Sequence, residues 1–300
     1  MWDFITNASE MISGLIEALW SIVQFFINPK EFIKGIYSVS FKWFGYTISF
    51  SDISQTVKDV CNFSNLQNKT ELWNIVTTVN NVTVSIGLSL LTLFFMINMI
   101  QKALEIERVS WEKVMMEVIR FFLYKFLVQN SLTMLSTFLN IANNYMLQIS
   151  NSLGTVNQTL TLADAMANGV DNFGATLISI LLWIVIVAST IGAIVPIVSV
   201  MVKIVISLSV APIPISLGIS DYGRNTAKSF IMSVIGLGIE TWLIIILTRI
   251  YLLGLNGSEG IGTGVSGVVS NGFRIIFANS LFVACLNWAT QKVQSMVGGN

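Results

Sequence analysis

Glu240 is the residue best placed to do chemistry, because it sits near the middle of an apolar run from Phe230 to Leu253. A carboxyl group within hydrocarbon is costly and turns toward a bundle interior or an aqueous cavity. Two roles stay open for it: a hydrogen bond to a neighbouring helix, or a place lining a channel and carrying protons. Ser229, Ser233, Gly236 and Glu240 recur at i, i+4, i+7 and i+11. That spacing puts small residues and the carboxyl on one helical face, suited to close packing in an oligomer or to lining a channel. Arg249 lies about 13 Å further along the axis and half a turn out of phase, so it makes no obvious intrahelical partner.

The rest of the inventory argues against an enzyme. Histidine is absent, which removes the commonest metal ligand and the commonest general base at neutral pH. Cys61 and Cys285 lie far apart and flank no motif, so they read as small apolar residues. No span holds paired carboxylates and no nucleophile motif occurs, so no cofactor and no metal are expected. Gly262 to Gly267 formally matches a dinucleotide fingerprint, but that motif needs a strand before it and a helix after it. Here it joins two apolar runs and reads as a loop. No Walker lysine follows it, so nucleotide hydrolysis is not expected of this chain.

The elements that must position Glu240 are membrane helices. Hydrophobic residues make up 54% of the chain and charged residues 11%, against roughly 25% charged in soluble domains. Mean hydropathy is +0.74. The composition predicts an all-α polytopic helical bundle with about five transmembrane helices, embedded in a lipid bilayer. Residues 1–75 read as an N-terminal interfacial region and 76–300 as the transmembrane domain. Within the first, residues 9–27 predict an amphipathic helix ended by Asn28-Pro29. Residues 30–50 mix Lys30, Lys34 and Lys42 with aromatics, as suits a headgroup zone, and 51–72 read as a loop with a short helix.

Spans are expected at Val82 to Ile100, from an amphipathic entry at Lys113 to about Leu139, at Gly174 to about Val200, at Phe230 to Leu253 and at Phe273 to Ala289. Lys113 and Glu117 stand at i, i+4 in the entry, and Asn140, Asn143 and Asn144 close the second span. Between Phe126 and Val202 there is no Lys or Arg, whereas residues 101–125 are rich in both, so 101–125 is expected inside and 140–172 outside. Pro196 is a place for the third span to kink, and Lys203 returns the chain to the inside.

The chain is organised around residues 203 to 251. Ala211, Pro212, Ile213 and Pro214 must stop or bend a helix, since proline lacks an amide hydrogen and disfavours helix in the residue before it. Lipid tolerates such a break only where protein or water satisfies the freed backbone groups. Residues 204–219 either re-enter or span. Re-entry is preferred, because Lys203, Arg224 and Lys228 all favour the same side. Arg224 and Lys228, in the polar loop that follows, are the candidate cytoplasmic contacts.

The stretch from Ser209 to Tyr251 resembles the most characteristic segment of TrbL-like conjugation proteins, the polytopic inner-membrane component of type IV secretion systems. It is most similar to the form carried by conjugative elements of Gram-positive bacteria. The resemblance rests on Ala211 to Pro214, Lys228 to Phe230, Gly236 to Gly238 and Ile250-Tyr251, and extends more loosely from Leu72 to Ser150. It implies a non-enzymatic subunit forming a homo-oligomeric ring in the bacterial cytoplasmic membrane. The partners it implies are a conjugation ATPase, a coupling ATPase, bitopic scaffold subunits and a relaxase-bound single DNA strand. With 16 Lys plus Arg, a net charge of zero and no dense basic cluster, the chain offers no electrostatic funnel for that strand, which favours scaffolding over lining the channel. A secondary transporter using Glu240 and the broken helix is the alternative, though the halves show no inverted repeat.

Overall fold

A computed structural model of the chain describes residues 27–43, 46–49, 53–104, 111–152, 166–256 and 264–297. The amphipathic helix expected over 9–27 falls outside them except at Ile27. Helix α1 (Pro29–Tyr37) opens the described chain. The Asn28 side chain accepts from the Glu31 amide at 3.4 Å, and Pro29 occupies the first turn, where a missing N–H is tolerated. Asn28-Pro29 therefore starts a helix. A hairpin follows, β1 (Ser40–Trp43) paired antiparallel with β2 (Tyr46–Ser49), with Phe41 opposite Ile48. Next come α2 (Ile53–Cys61) and α3 (Phe63–Asn68), so this stretch is more helical than the sequence suggested. Helix α4 (Thr70–Leu104) runs straight through the expected division at 75/76.

Among the described residues, four helices are long and apolar enough to cross a membrane: α4, α7 (Phe173–Val210), α9 (Arg224–Asn256) and α10 (Gly264–Val297). The chain is a multi-pass helical membrane protein. The remaining expected span is occupied by two helices, α5 (Trp111–Gln129) and α6 (Ser131–Ser152), which meet at a turn at Asn130. Glu117, Arg120 and Lys125 in α5, and the asparagines of α6, keep either from being uniformly apolar. Helix α6 also continues past Asn140, Asn143 and Asn144, so these residues do not end it.

Helix α7 passes through Pro196 and Lys203 without interruption, which moves its end from the expected Val200 to Val210. A single proline removes one ladder bond, and 37 other residues hold the helix together. At 1.5 Å per residue α7 reaches about 57 Å, nearly twice the hydrocarbon thickness of about 30 Å. The separate piece after it is shorter than expected: α8 (Pro212–Ser216), then a 3-10 turn at Leu217–Ile219.

The helices pack in two staggered tiers. In one, α7 and α10 run side by side in the same direction: a Cβ added at Gly169 would lie 3.0 Å from Val268, and Asn279 reaches Ser189 and Thr190. Helix α9 runs against them, with Tyr251 beside Asn279 and Glu240 beside Thr290. In the other tier, α4 runs alongside the end of α7, α8 and the 3-10 turn, from Asn80 at Leu208 to Asn98 at Ile219. Helix α5 runs back against α4, with Phe95 and Phe121 rings 4.6 Å apart. Helix α9 contacts elements of both tiers. At the junction α2, α3 and α6 share one apolar core with the bundle, through Val57, Phe63, Leu139, Leu208 and Leu237. A second core ties α1 to α7 and α10 through Ile33, Tyr37, Ile186 and Ile275.

Candidate functional site

The proline break is the centre of the second tier. In an uninterrupted helix the amide of residue 212 would donate to the Leu208 carbonyl. Pro212 cannot, and Asn80 of α4 takes its place: its Nδ2 donates to the Leu208 oxygen at 2.9 Å. The Thr83 hydroxyl donates to the next carbonyl, Ser209, at 2.7 Å. Lower down, Asn98 Nδ2 donates to the Ile219 carbonyl at 3.0 Å, at the end of the 3-10 turn. Asn80, Thr83, Gly87, Leu91 and Asn98 lie on one face of α4 by the 3.6-residue period. Asn80 and Thr83 are buried and Leu91 is fully so. This stripe is what lets an apolar bundle hold an interrupted backbone, since an unpaired buried carbonyl is expensive.

The backbones also approach closely. A Cβ added at Gly87 would stand 2.8 Å from the Pro212 carbonyl oxygen and 3.2 Å from its Cβ. Gly218 has the Tyr124 ring of α5 against it, so the turn is held from the other side as well. Ala211 and Pro212 are buried, whereas Ile213 and Pro214 are partly so. Ala211 keeps helical angles, φ −48° and ψ −40°, so the break bends the path rather than opening a loop.

Glu240 is 4% exposed and lies where the tiers meet. Its Oε1 accepts from the Thr290 hydroxyl of α10 at 2.6 Å, and the Lys203 ammonium of α7 stands 3.8 Å away. A hydroxyl and a cation from two neighbouring helices hold the carboxylate in place. The four residues of the expected packing face do not share one environment. Gly236 and Glu240 are buried by their own chain, whereas Ser229 and Ser233 are exposed. Arg224 pairs with Asp221 at 3.2 Å on the surface, Lys228 is exposed, and Tyr222 projects from the same turn with 90% of its surface free.

The structure buries a second carboxylate, one that local spacing placed only in an i, i+4 pair. Glu117 is 3% exposed and is held by Lys102 of α4 and by Arg120, one turn on, at 2.8 Å. The i, i+4 spacing had pointed to Lys113 as its partner. The packing of α5 on α4 brings Lys102 to it, and nothing in local spacing announces that contact; the side chain of Lys113 lies outside the described residues. Asn143 is likewise used across the fold, accepting from the Phe63 amide at 3.1 Å at the start of α3. Asn279, fully buried, joins Tyr251, Ser189 and Thr190 in one network at the centre of the first tier. Of the glycine fingerprint, Gly262 and Thr263 lie outside the described residues. Gly264 opens α10 at φ +82°, an angle glycine adopts freely.

Cys61, at the end of α2, is buried, and burial together with the nearby charge of Glu240 pushes its thiol up to about 12. The thiolate is the reactive form. With Cys285 replaced by serine, Cys61 is expected to resist maleimide at pH 8 in the folded protein and to label fully once denatured. Fast labelling of the folded protein, followed by mass, would contradict the packing of α2 against α9.

No family model, curated protein or solved structure matches this chain.

Proposed function

We propose that the chain is a non-enzymatic scaffold or channel subunit of a type IV secretion machine of the TrbL-like kind, working in the bacterial cytoplasmic membrane. The observation that carries this reading is the run from Ala211 to Tyr251, whose Ala-Pro-Ile-Pro, Lys-Ser-Phe and glycine-containing helix resemble that family's segment. Its place in the fold adds support. Helix α8 is gripped by α4 and α5, and α9 packs against elements of both tiers, so this run is the frame of the molecule. In this reading α5 and α6 together make the fifth crossing, and α8 with its 3-10 turn is the re-entrant piece.

The subunit would assemble as a ring of copies beside the conjugation and coupling ATPases and the bitopic scaffold subunits. A relaxase-bound DNA strand would pass through the assembled machine. Ser229 and Ser233, exposed near the polar turn, are the part of the α9 face left free for a neighbouring copy. Arg224, Lys228 and Tyr222 would meet the soluble partners.

The test is DNA transfer between cells. Deleting the gene should abolish transfer, and a chain with Pro212 and Pro214 both changed to alanine should restore membrane insertion without restoring transfer. Normal transfer after deletion rejects the proposal. The mass of the extracted complex should correspond to several copies, with cysteines at 229 and 233 crosslinking between them. The transporter alternative keeps one supporting observation, the buried Glu240 beside Lys203. It requires substrate flux by the purified monomer in liposomes that Glu240→Gln removes.

A further inference from the structure

Helices α7 and α10 meet through Ile186 and Thr190 on one and Ile275 and Asn279 on the other. Each turns its opposite side out of the molecule. On α7, Leu181, Ala188, Val195 and Val202 recur every seven residues with Ile184 and Ile191 between them, and all six are exposed. That is the repeat with which one helix packs along another. The seam runs about 32 Å at 1.5 Å per residue, close to the hydrocarbon depth of about 30 Å. A Cβ added at Gly192 would meet no atom within 4 Å, so the seam has a hole at its middle. Toward its C-terminal end α7 and the hairpin flank a groove of about 500 Å³, lined by Val195, Val198, Ser199 and Val202 and by Phe41 and Ile48. On α10 the outward side is a ridge of large side chains, Phe273, Phe277, Leu281 and Trp288, each more than half exposed.

Seam and ridge lie at the same height. Gly272 sits against Leu182, and Asn279 donates to Ser189 and Thr190, so the two parallel helices keep one register. Continued at equal rise, that register sets Phe277 level with Ala188, Leu281 with Gly192 and Trp288 with Ser199. Around α7 the seam's Val195 stands about 180° from Ile186, and around α10 the ridge's Phe277 stands about 200° from Ile275. The two faces therefore point away from each other.

We propose that a second copy of this chain docks on α7 head to tail, laying its α10 ridge along this copy's α7 seam. Copies inserted the same way in one membrane, and related by rotation about its normal, keep every residue at its own height. The second copy then brings Leu281 over the hole at Gly192, Phe277 over Ala188 and the Trp288 ring into the groove beside the hairpin. Large side chains meet small ones, which is how helices associate where lipid leaves no hydrophobic drive between them. The Trp288 indole N–H has no acceptor among the described residues. Ser199 lies in that groove and donates its own proton to the Pro196 carbonyl at 2.6 Å, which leaves its lone pairs for the indole. Because the two faces differ and point apart, each copy offers one to each neighbour, and a rotation that closes makes a ring. The inference rests on the proposed ring of copies and names the faces that build it.

Disulfide crosslinking of the full chain in membranes tests this, on a background with Cys61→Ala and Cys285→Ser. Co-expressed copies carry Gly192→Cys under one tag and Leu281→Cys under another. Oxidation should join unlike tags and leave like tags unjoined, and a chain with both substitutions should give a ladder of multimers. Leu253→Cys, exposed on α9, should not join to position 192. Joining of like tags to the same extent as unlike ones overturns the head-to-tail contact. A multimer that crosslinks through 229 and 233 but never through 192 and 281 overturns this contact and leaves the proposed ring standing. A monomer, with lipid alone covering both faces, overturns both. A second measurement reads affinity: energy transfer between labelled copies in liposomes, followed against the ratio of protein to lipid. Trp288→Ala should weaken association roughly tenfold or more, as expected when an aromatic anchor leaves its pocket, and Leu253→Ala should leave it unchanged. Equal association of Trp288→Ala and the wild type rejects the proposal.

Discussion

Asn80→Leu is expected to destabilise the protein by about 1–3 kcal/mol, the cost of leaving a buried backbone carbonyl without a donor. The same substitution in a chain that already carries Pro212→Ala should cost much less. The reasoning is local. Pro212 has no amide hydrogen, so the Leu208 carbonyl has Asn80 Nδ2 as its donor at 2.9 Å. An alanine at 212 restores the amide that an α-helix would use for that carbonyl. Asn80 then becomes one of two donors instead of the replacement for a missing one. Unfolding in mild detergent, measured for both single variants and the double, gives the coupling directly. A coupling near zero would show that Asn80 and Pro212 act independently and would remove the clamp from the explanation of the fold.

Gly87→Val should be among the damaging single changes in the second tier. The new side chain would have to displace the backbone of Pro212, which sits 2.8 Å from where the Cβ would go, and backbone does not yield as a flexible side chain would. Overpacking of this kind costs about 1–3 kcal/mol and sometimes more. Separating α4 from α8 would also lengthen the Asn80 and Thr83 hydrogen bonds, so the loss should exceed that of either polar variant alone. Gly192→Val makes a fair comparison, because a Cβ at Gly192 meets nothing within 4 Å. If folded yield and melting temperature fall equally for both, close approach at Gly87 is not what holds the helices together.

Much of this fold was legible because hydrocarbon solvation writes long apolar runs into a sequence. Four such runs became α4, α7, α9 and α10. Glu240 was legible as a buried carboxyl for the same reason, since it interrupts one of those runs. Its partners were not, because Lys203 and Thr290 lie 37 and 50 residues away on other helices. The need for donors at the proline break could be stated from Pro212 alone, whereas the identity of those donors could not. Asn80 falls just before the span expected to start at Val82, although Asn80, Thr83, Gly87 and Asn98 keep one helical phase. That phase was the available signal. The hairpin at Ser40–Ser49 was read as headgroup-zone sequence, because two four-residue strands carry too few alternations to stand out.

The clamp also bears on how the molecule is made. Asn80 and its acceptor are separated by 128 residues of chain, and Asn98 and its acceptor by 121. Ribosomes add roughly 5–20 residues per second, so Asn80 is made about 6 to 26 s before the carbonyl it serves exists. During that interval a helix bearing two asparagine amides on one face has no bundle to enter. Until residues 208–219 emerge, its two asparagine amides lack the carbonyls they serve in the finished fold. The order of synthesis thus makes α4 a waiting partner, whose hydrogen bonds to the break close only once the proline segment arrives.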